Sequence, residues 1–243
     1  DPGRWYDTLR AVQQARYCAY LDLGRQVVLS LSPELFFARR GQRVTTRPMK
    51  GTIRRGRWLA EDEALERELV TSPKNRAENV MIADLLRNDI GRVAMTGSVR
   101  VPALCTPERY PTLWQLTSTV EADVPAPTTL VELFRALFPC GSVTGAPKIR
   151  TMEIIAALEG EPRGLYTGTI GIVRPGGDCT FNVAIRTLVI DRDTGAVTMG
   201  VGAGITADSL PDAEYDESLL KGAFAAGATA AIADVGSFSL LET

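Results

Sequence analysis

Three strand-like segments in the second half of the chain are separated by very short turns. They span 165–174, 179–190 and 196–201. Their links, Pro175-Gly176-Gly177-Asp178 and Asp191 to Gly195, are rich in turn-forming residues. Because a parallel crossover needs about a dozen residues or more, strands joined this closely must run antiparallel. This part of the sequence therefore predicts an antiparallel sheet.

The remainder of the 243 residues adds helices and more short strands, and no repeat, linker or low-complexity tract divides them. Helical spacing and start signals predict helices over 4–17, 72–88, 128–138, 146–158, and from a Ser209-to-Asp212 capping box to about 231. Further strands are predicted over 27–32, 34–39, 43–48, 99–104 and 113–120. We expect one α+β domain over 1–243, with mostly antiparallel sheets and helices packed outside them.

Composition excludes several classes of function. A formal net charge of −2 provides no basic field for nucleic acid, and no segment has the length and apolarity of a membrane span. Four scattered cysteines and no histidine offer neither a zinc site nor a disulfide framework, which fits a reducing cytoplasm. The first residue is Asp1 rather than methionine, so the chain is expected to be a fragment of a longer protein.

The absence of histidine directs attention to Lys50 as a nucleophile or base. It follows the predicted 43–48 strand, in Pro48-Met49-Lys50-Gly51-Thr52, with Arg47, Arg54 and Arg55 nearby. Partial desolvation and neighbouring cations would favour the neutral amine, which is able to attack carbon. The alternative is an ordinary exposed lysine in a hairpin turn.

Glu214, Glu217 and Lys221 share one face of the last predicted helix, because steps of three and four residues keep side chains within roughly 60°. The alternative is a surface Glu-Lys pair. Glu78, on the 72–88 helix, is another available carboxylate. Two carboxylates from separate helices suit Mg²⁺ when that ion also binds a substrate.

Two glycine-rich segments and one polar pair are candidate anion sites. Gly141 to Lys148 (GSVTGAPK) lacks the Walker spacing but offers backbone N–H groups and a lysine at a helix start; the alternative is a loop that needs glycine for its shape. Gly200 to Gly204 (GVGAG) could donate backbone hydrogen bonds or form a bend. Tyr166 and Arg186, on neighbouring predicted strands, could hold a carboxylate, or either could be structural.

In this order, the segments resemble the chorismate-utilising enzymes, the family of anthranilate, aminodeoxychorismate, isochorismate and salicylate synthases. The resemblance covers about Ser30 to Lys221. Its strongest parts are Ser32-Pro33-Glu34, Pro48 to Thr52, Ala77 to Val93 (AENVMIADLLRNDIGRV), Gly141 to Lys148 and Gly202 to Lys221.

The resemblance implies a fold and a set of site residues. The family fold is a pair of large antiparallel sheets flanked by helices. Chorismate would be the substrate, with Mg²⁺ held by Glu78 and Glu217 and Glu214 behind them, and Glu34 would be the general acid for the 4-hydroxyl. The residues implied in substrate binding are Tyr166, Arg186, Gly202, Gly204 and Lys221 for the side-chain carboxylate, and Gly51 and Thr52 beside the ring.

Lys50 then indicates a branch of the family. Most branches have alanine at this position, whereas aminodeoxychorismate synthase component I has a lysine thought to attack C2 of the ring. Gln115 stands where many members, including pyruvate-releasing ones, have histidine, and glutamine cannot act as a base. The resemblance therefore implies a transferase of folate biosynthesis, in which ammonia from a glutaminase subunit or domain replaces the 4-hydroxyl.

Two other functions remain open. One is an anthranilate synthase component I or another chorismate-converting synthase. The other is a chorismate-binding domain without turnover, since family members carry a further N-terminal region that has no counterpart before Arg4 here. That region also holds the effector site and the basic residue of isochorismate formation, so neither property is predicted.

Overall fold

A computed structural model describes residues 1–110, 113–207, 209–230 and 238–242, and only the backbone of 226–230 and 238–242. The chain divides into two compact units. The first unit comprises 1–34, 159–170 and the described residues from 182 onward, and the second comprises 35–158 and 171–181. Each unit is described separately, and the prediction of a single domain over 1–243 stays a prediction.

Helices and strands follow one another in groups along the described chain. The helices are α1 (Pro2–Gln13), α2 (Leu59–Thr71), α3 (Pro73–Gly91), α4 (Leu130–Leu137), α5 (Gly141–Thr144), α6 (Lys148–Leu158) and α7 (Pro211–Ala230). The strands are β1 (Tyr17–Asp22), β2 (Gln26–Ser32), β3 (Leu35–Arg40), β4 (Arg43–Arg47), β5 (Met49–Arg54), β6 (Arg100–Arg109), β7 (Leu113–Asp123), β8 (Thr169–Val173), β9 (Cys179–Val183), β10 (Thr187–Asp191), β11 (Val197–Val201) and β12 (Phe238–Glu242).

The described strands form two sheets, of five and seven strands. The five-stranded sheet has the order β1-β2-β10-β11-β12, and its pairs are antiparallel except β11 with β12. Helix α1 packs Trp5 and Leu9 on a core that includes Leu29, Leu31 and Met199. The α+β class with mostly antiparallel sheets and flanking helices is confirmed.

Strand β7 pairs with three other strands of the seven-stranded sheet. It pairs with β4 along 120–123 and with β5 along 113–117 on one side, and with β6 on the other. Strands β4 and β5 thus pair with successive parts of the same side of β7, and they are separated at Pro48, a residue without the N–H that a continuous ladder would need. The remaining order is β4-β3-β9-β8.

Helix α3 begins where the sequence predicts. The Ser72 side chain accepts a hydrogen bond from the Asn75 backbone N–H at 3.3 Å, and Pro73 occupies the first turn. Its buried stripe contains Asn79, Ile82, Leu86 and Ile90. Two polar residues of α3, Asn79 and Asp89, are therefore buried among apolar ones.

Several element predictions were wrong. The 4–17 helix ends at Gln13, where Gln14 has a left-handed φ of 46°, and β1 then begins at Tyr17. The 179–190 strand is two strands that belong to different sheets, β9 and β10. Helix α2 and strands β1 and β5 were not predicted, and the last helix begins at Pro211 rather than at a Ser209 capping box.

No helix in the described part of the chain is both long and apolar enough to cross a membrane.

Candidate functional site

Lys50 lies inside strand β5 rather than in the turn after a strand, which corrects the sequence prediction. Met49 pairs with Thr117 and Thr52 with Gln115, so three steps along β5 match two along β7. The extra residue makes a β-bulge at Lys50 and Gly51, and Gly51 has a φ of 85°. Bulges of this kind re-aim a side chain out of the regular alternation of a strand. Lys50 itself is half-buried.

The bulge is held by the side chain of Gln115 on β7. Its Nε2 donates to the Gly51 carbonyl at 2.9 Å, and its Oε1 accepts from the Thr52 hydroxyl at 3.0 Å. Gln115 is buried, and both ends of its amide are engaged. The structure thus brings Lys50, Gly51, Thr52 and Gln115 together as one local unit.

The arginines expected to surround Lys50 with positive charge are each neutralised by a carboxylate. These ion pairs do not support the expectation that the arginines act on Lys50 as unpaired cations. The pairs are Arg47 with Glu108, Arg54 with Glu61 at 2.6 Å, and Arg55 with Asp62 at 2.5 Å.

Asp62 is the most strongly bound of these carboxylates. It accepts hydrogen bonds from the Arg55 guanidinium, the Gly56 backbone N–H and the Trp114 indole. The Arg55 hydrogen bonds, and with them the Gly56 and Trp114 donors, hold the pKa of Asp62 well below its usual range. This cluster fixes the chain that follows β5 against β7.

Glu78 is half-buried in the second turn of α3 and belongs to the same unit as Lys50. The next residue, Asn79, is fully buried and donates from Nδ2 to the carbonyls of Leu116, at 3.0 Å, and Lys50, at 3.4 Å. Sequence reasoning missed Asn79. The available signal was a polar residue on the apolar stripe of the helix.

The GSVTGAPK segment uses its lysine internally. Lys148 Nζ lies 2.5 Å from Oδ2 of the fully buried Asp89 and donates to the carbonyls of Leu137, at 3.0 Å, and Pro139, at 2.7 Å. The Asp89 contact is an ion pair without the angles of a directed hydrogen bond. Lys148 therefore ties the loop to α3 in this structure. For this side chain, the structure favours a structural role in the loop over anion binding.

Glu34 lies in the short connection between β2 and β3 and is 5% exposed. Its backbone is fixed within the first unit: the N–H donates to Ser32 Oγ at 3.2 Å, and the carbonyl accepts from the Val183 N–H at 3.1 Å. Ser32 Oγ also donates to the Val183 carbonyl at 2.6 Å. The Ser-Pro-Glu segment thus places one carboxyl group in a nearly water-free position.

The sequence predicted Tyr166 and Arg186 on neighbouring strands, and this prediction was wrong. Tyr166 precedes β8, and Arg186 lies between β9 and β10 with a left-handed φ of 49°. The Tyr166 ring covers Gly200 on β11 so closely that a Cβ there would lie 2.2 Å from the ring. Arg186 Nη1 donates to Gln13 Oε1 at 3.0 Å. Backbone strain of this kind in a non-glycine residue is concentrated at functional sites.

The face of α7 predicted to carry Glu214, Glu217 and Lys221 faces the segment after β11. Lys221 Nζ forms an ion pair with Glu217 at 2.7 Å and donates to the Gly202 carbonyl at 2.9 Å. Ser209 Oγ donates to Glu214 Oε1 at 2.6 Å, which replaces the predicted backbone cap. The surface Glu-Lys pair that the sequence offered as the alternative is therefore present, and its lysine also contacts Gly202.

An open groove of about 330 Å³ lies beside this face within the first unit, and Gly204 is exposed next to it. That volume is at the lower end of the range of small-molecule sites. Its lining is Ala203, Ile205, Ser209, Pro211, Glu214, Tyr215 and Ser218.

Glu78 and Glu217, the predicted metal ligands, are carboxylates, whose oxygens are the ligands that Mg²⁺ prefers. The described residues contain no group of three or more His, Cys, Asp or Glu side chains placed to hold a metal without a substrate. The two glutamates belong to different units, and the metal stays a prediction.

Comparison with known proteins decides the family. A family model described as "chorismate binding enzyme" matches residues 1–227. The chain belongs to the chorismate-binding enzymes. The resemblance read from its motifs is thereby confirmed.

Among characterised members of the chorismate-binding family, the chain is 45% identical to aminodeoxychorismate synthase component 1 of Bacillus subtilis over 220 residues, covering 90% of this chain and 46% of the relative. It is 42% identical to anthranilate synthase component 1 of Aquifex aeolicus, covering 91% of this chain and 44% of the relative. The chain thus spans about half the length of these relatives.

Solved structures agree on the chorismate-binding fold. Anthranilate synthase component I from Streptococcus pneumoniae superposes with a TM-score of 0.82 at 34% identity, over 93% of this chain and 49% of that one. A putative isochorismate synthase from Bacillus anthracis superposes with a TM-score of 0.77 at 24% identity, over 95% and 62%. The fold predicted from the resemblance is confirmed.

Proposed function

We propose that this chain carries the aminodeoxychorismate synthase component I activity, in which chorismate and ammonia give 4-amino-4-deoxychorismate. The observation that carries the proposal is Lys50, an amine presented by a β-bulge whose neighbours Gly51 and Thr52 are pinned by Gln115. Aminodeoxychorismate synthases are among the relatives at 44–46% identity.

The proposed reaction has two substitutions. The neutral Lys50 amine attacks C2 of the chorismate ring, the ring double bonds shift, and the C4–O bond breaks. Glu34 gives its proton to the departing 4-hydroxyl, which leaves as water. Ammonia then adds at C4, the double bonds shift back, and the Lys50 amine leaves C2, while the extra proton of the added ammonia returns to the Glu34 carboxylate. A covalent intermediate divides one difficult substitution into two easier ones.

The first unit supplies the groups proposed to bind the substrate carboxylate. Arg186 and Tyr166 offer charged and phenolic donors, and Lys221 adds an ammonium beside Gly202. The exposed backbone near Gly204 offers further N–H donors, while Gly51 and Thr52 are proposed to border the ring. Binding would require Lys221 to exchange part of its contact with Glu217 for the substrate.

Glu78 and Glu217 are the proposed holders of Mg²⁺, with Glu214 behind them. When bound, the ion would offset the negative charge of the ring carboxylate and withdraw electrons from the ring. Glu214 is already oriented by Ser209, as expected of a residue that orders a neighbouring ligand.

The ammonia is proposed to come from glutamine through a separate or fused glutaminase. This chain has no histidine from which a Cys-His amidotransferase site could be built. The relatives in Bacillus subtilis and Escherichia coli are named as component 1. We place the reaction in folate biosynthesis in the cytoplasm.

An anthranilate synthase activity is the second candidate, because relatives of that name share 42–43% identity with this chain. Anthranilate formation adds a pyruvate elimination, which needs a base. Gln115 cannot accept a proton as a base, and its amide is occupied by Thr52 and Gly51. Lys50 and Gln115 together favour the aminodeoxychorismate reaction.

Product analysis tests the proposal. The protein is incubated with chorismate, Mg²⁺ and ammonium, and products are identified by mass spectrometry beside Lys50→Ala and the exposed-lysine control Lys74→Ala. We expect 4-amino-4-deoxychorismate from the native protein and the control, and loss of turnover in Lys50→Ala and after EDTA treatment. Anthranilate with pyruvate would refute the assignment, and chorismate binding without consumption would indicate a non-catalytic domain.

A further inference from the structure

Two β-bulges lie on opposite sides of strand β7 and meet at Thr117. One lies in β5 between Met49 and Thr52, and the other lies in β6 between Ala103 and Thr106. Cys105, within the second bulge, has a left-handed φ of 51°. Because a bulge takes residues out of the sheet ladder, their buried backbone groups must find other hydrogen-bond partners.

Asn79 of α3 provides partners for both bulges. Its Nδ2 reaches the Lys50 carbonyl at 3.4 Å and the Leu116 carbonyl at 3.0 Å. Its Oδ1 accepts from Ser118 Oγ and from Cys105 Sγ, the latter at 3.7 Å. Ser118 Oγ in turn accepts from the Cys105 N–H at 3.0 Å. Both donors and both acceptor positions of the carboxamide are therefore used.

The position of Asn79 links it to two proposed functional residues. The side chain is fully buried, contacts the backbone of Lys50 directly and belongs to the residue next to Glu78. A shift of α3 would consequently move Glu78 and release the Lys50 carbonyl together. Buried carboxamides with complete hydrogen bonding fix one geometry, because any other arrangement leaves a polar group unpaired.

We propose that Asn79 is a positioning residue, which sets the conformation of the Lys50 bulge through the Lys50 carbonyl and keeps it in register with Glu78. Its effect on turnover rests on the proposed function. Its effect on the Lys50 amine does not, because chemical labelling of this half-buried lysine needs no substrate.

Competitive lysine labelling tests the proposal. The chain has four lysines, and Lys74 is exposed in the first turn of the same helix, so it provides an internal reference. An amine-reactive reagent in trace amount is followed by peptide mass spectrometry across a pH series. In Asn79→Ala, labelling of Lys50 relative to Lys74 should rise about fivefold, as expected when one neutral hydrogen bond no longer holds the half-buried bulge closed.

Asn182 provides the matched control. It is also a buried asparagine, and it donates to the Tyr17 carbonyl at 2.9 Å and accepts from the Ile170 N–H at 3.0 Å, within the other unit. Asn182→Ala should lower stability comparably to Asn79→Ala while the Lys50 labelling ratio and its pH profile stay at native values. An equal labelling change in both variants, or in neither, would overturn the proposal.

Kinetics add a second readout. With chorismate and ammonium, Asn79→Ala should lower kcat at least about tenfold with KM changed less than about threefold, since the groups proposed to bind the substrate carboxylate belong to the other unit. If no turnover occurs even in the native protein, the proposed function fails and the labelling ratio still tests Asn79. Should Asn79→Ala not fold, Asn79→Ser keeps a hydroxyl for Ser118 but is too short for Lys50; native labelling there would also overturn the proposal.

Discussion

The Lys148–Asp89 ion pair gives the sharpest test of how the GSVTGAPK segment works. The structure makes Lys148 an internal tie, whereas the sequence also allowed it to bind a substrate anion. Replacing Lys148 by methionine keeps the length of the side chain and removes its charge. The two roles then predict different results, because one concerns stability and the other concerns substrate affinity.

The magnitude follows from burial. Asp89 is fully buried and Lys148 Nζ lies 2.5 Å from it, so Lys148→Met leaves a buried carboxylate without its main counter-charge. Removal of one partner of a buried ion pair typically costs about 3–5 kcal/mol. For a chain of this size that corresponds to a fall in Tm of roughly 10 °C. The two carbonyls that Lys148 also contacts would add to the loss.

Urea denaturation of a double-mutant cycle measures this effect. The variants are Lys148→Met, Asp89→Asn and the double substitution, with the exposed Lys74→Met as the control. We expect the double variant to be more stable than the sum of the single losses predicts, with a coupling of at least about 1 kcal/mol. A stability loss below about 1 kcal/mol in Lys148→Met, together with a raised KM for chorismate, would refute the internal role.

Three further predictions concern the neighbourhood of Lys50. Gly51→Ala should lower the free energy of unfolding by about 1–2 kcal/mol, because residue 51 has a left-handed φ. It should also lower kcat, because a Cβ at this position would lie 3.1 Å from the side chain of Asn75 and press on it. Gly41→Ala, at a left-handed turn with open space, is the control, and native kcat in Gly51→Ala would argue against a required bulge. Gln115→Leu should lower both stability and kcat, because it leaves the Gly51 carbonyl without its donor; unchanged urea unfolding would contradict this. Asp62 has a folded pKa below its unfolded value, so its stabilisation is complete above the unfolded pKa, about 3.9, and is lost as pH falls through the folded one. Acid unfolding of Asp62→Asn, compared with the native protein, should show a weaker loss of stability below that pH, and identical slopes would refute the assignment.

Much of the fold was predictable because local signals and tertiary structure agree. The turn at 191–195 joins the antiparallel strands β10 and β11, and the turn at 175–178 joins the neighbouring strands β8 and β9. Ser72-Pro73 does start α3. The failure at 179–190 has a physical cause. The segment keeps strand-forming residues throughout, but Arg186 adopts a left-handed φ between two different sheets, and no local propensity encodes that change.

The site was predictable in its parts and not in its contacts. The spacing on α7 predicted the common face of Glu217 and Lys221, and the structure adds the Gly202 carbonyl. The Asp89–Lys148 pair joins residues far apart in sequence, so no local pattern reveals it. The bulge that presents Lys50 was missed because a proline followed three residues later by a glycine is typical of a turn, whereas pairing with β7 makes this segment a strand.

The most direct test of the central claim is the mass of the protein after exposure to chorismate without ammonia. If Lys50 attacks the ring as the 4-hydroxyl leaves, rapid acid quenching should trap protein heavier by chorismate less one water. Peptide mapping should place the added mass on the peptide that contains Lys50, and Lys50→Ala should show none. Unmodified protein, in a preparation that consumes chorismate once ammonium is added, would contradict attack by Lys50, and so would an adduct on Lys221 instead.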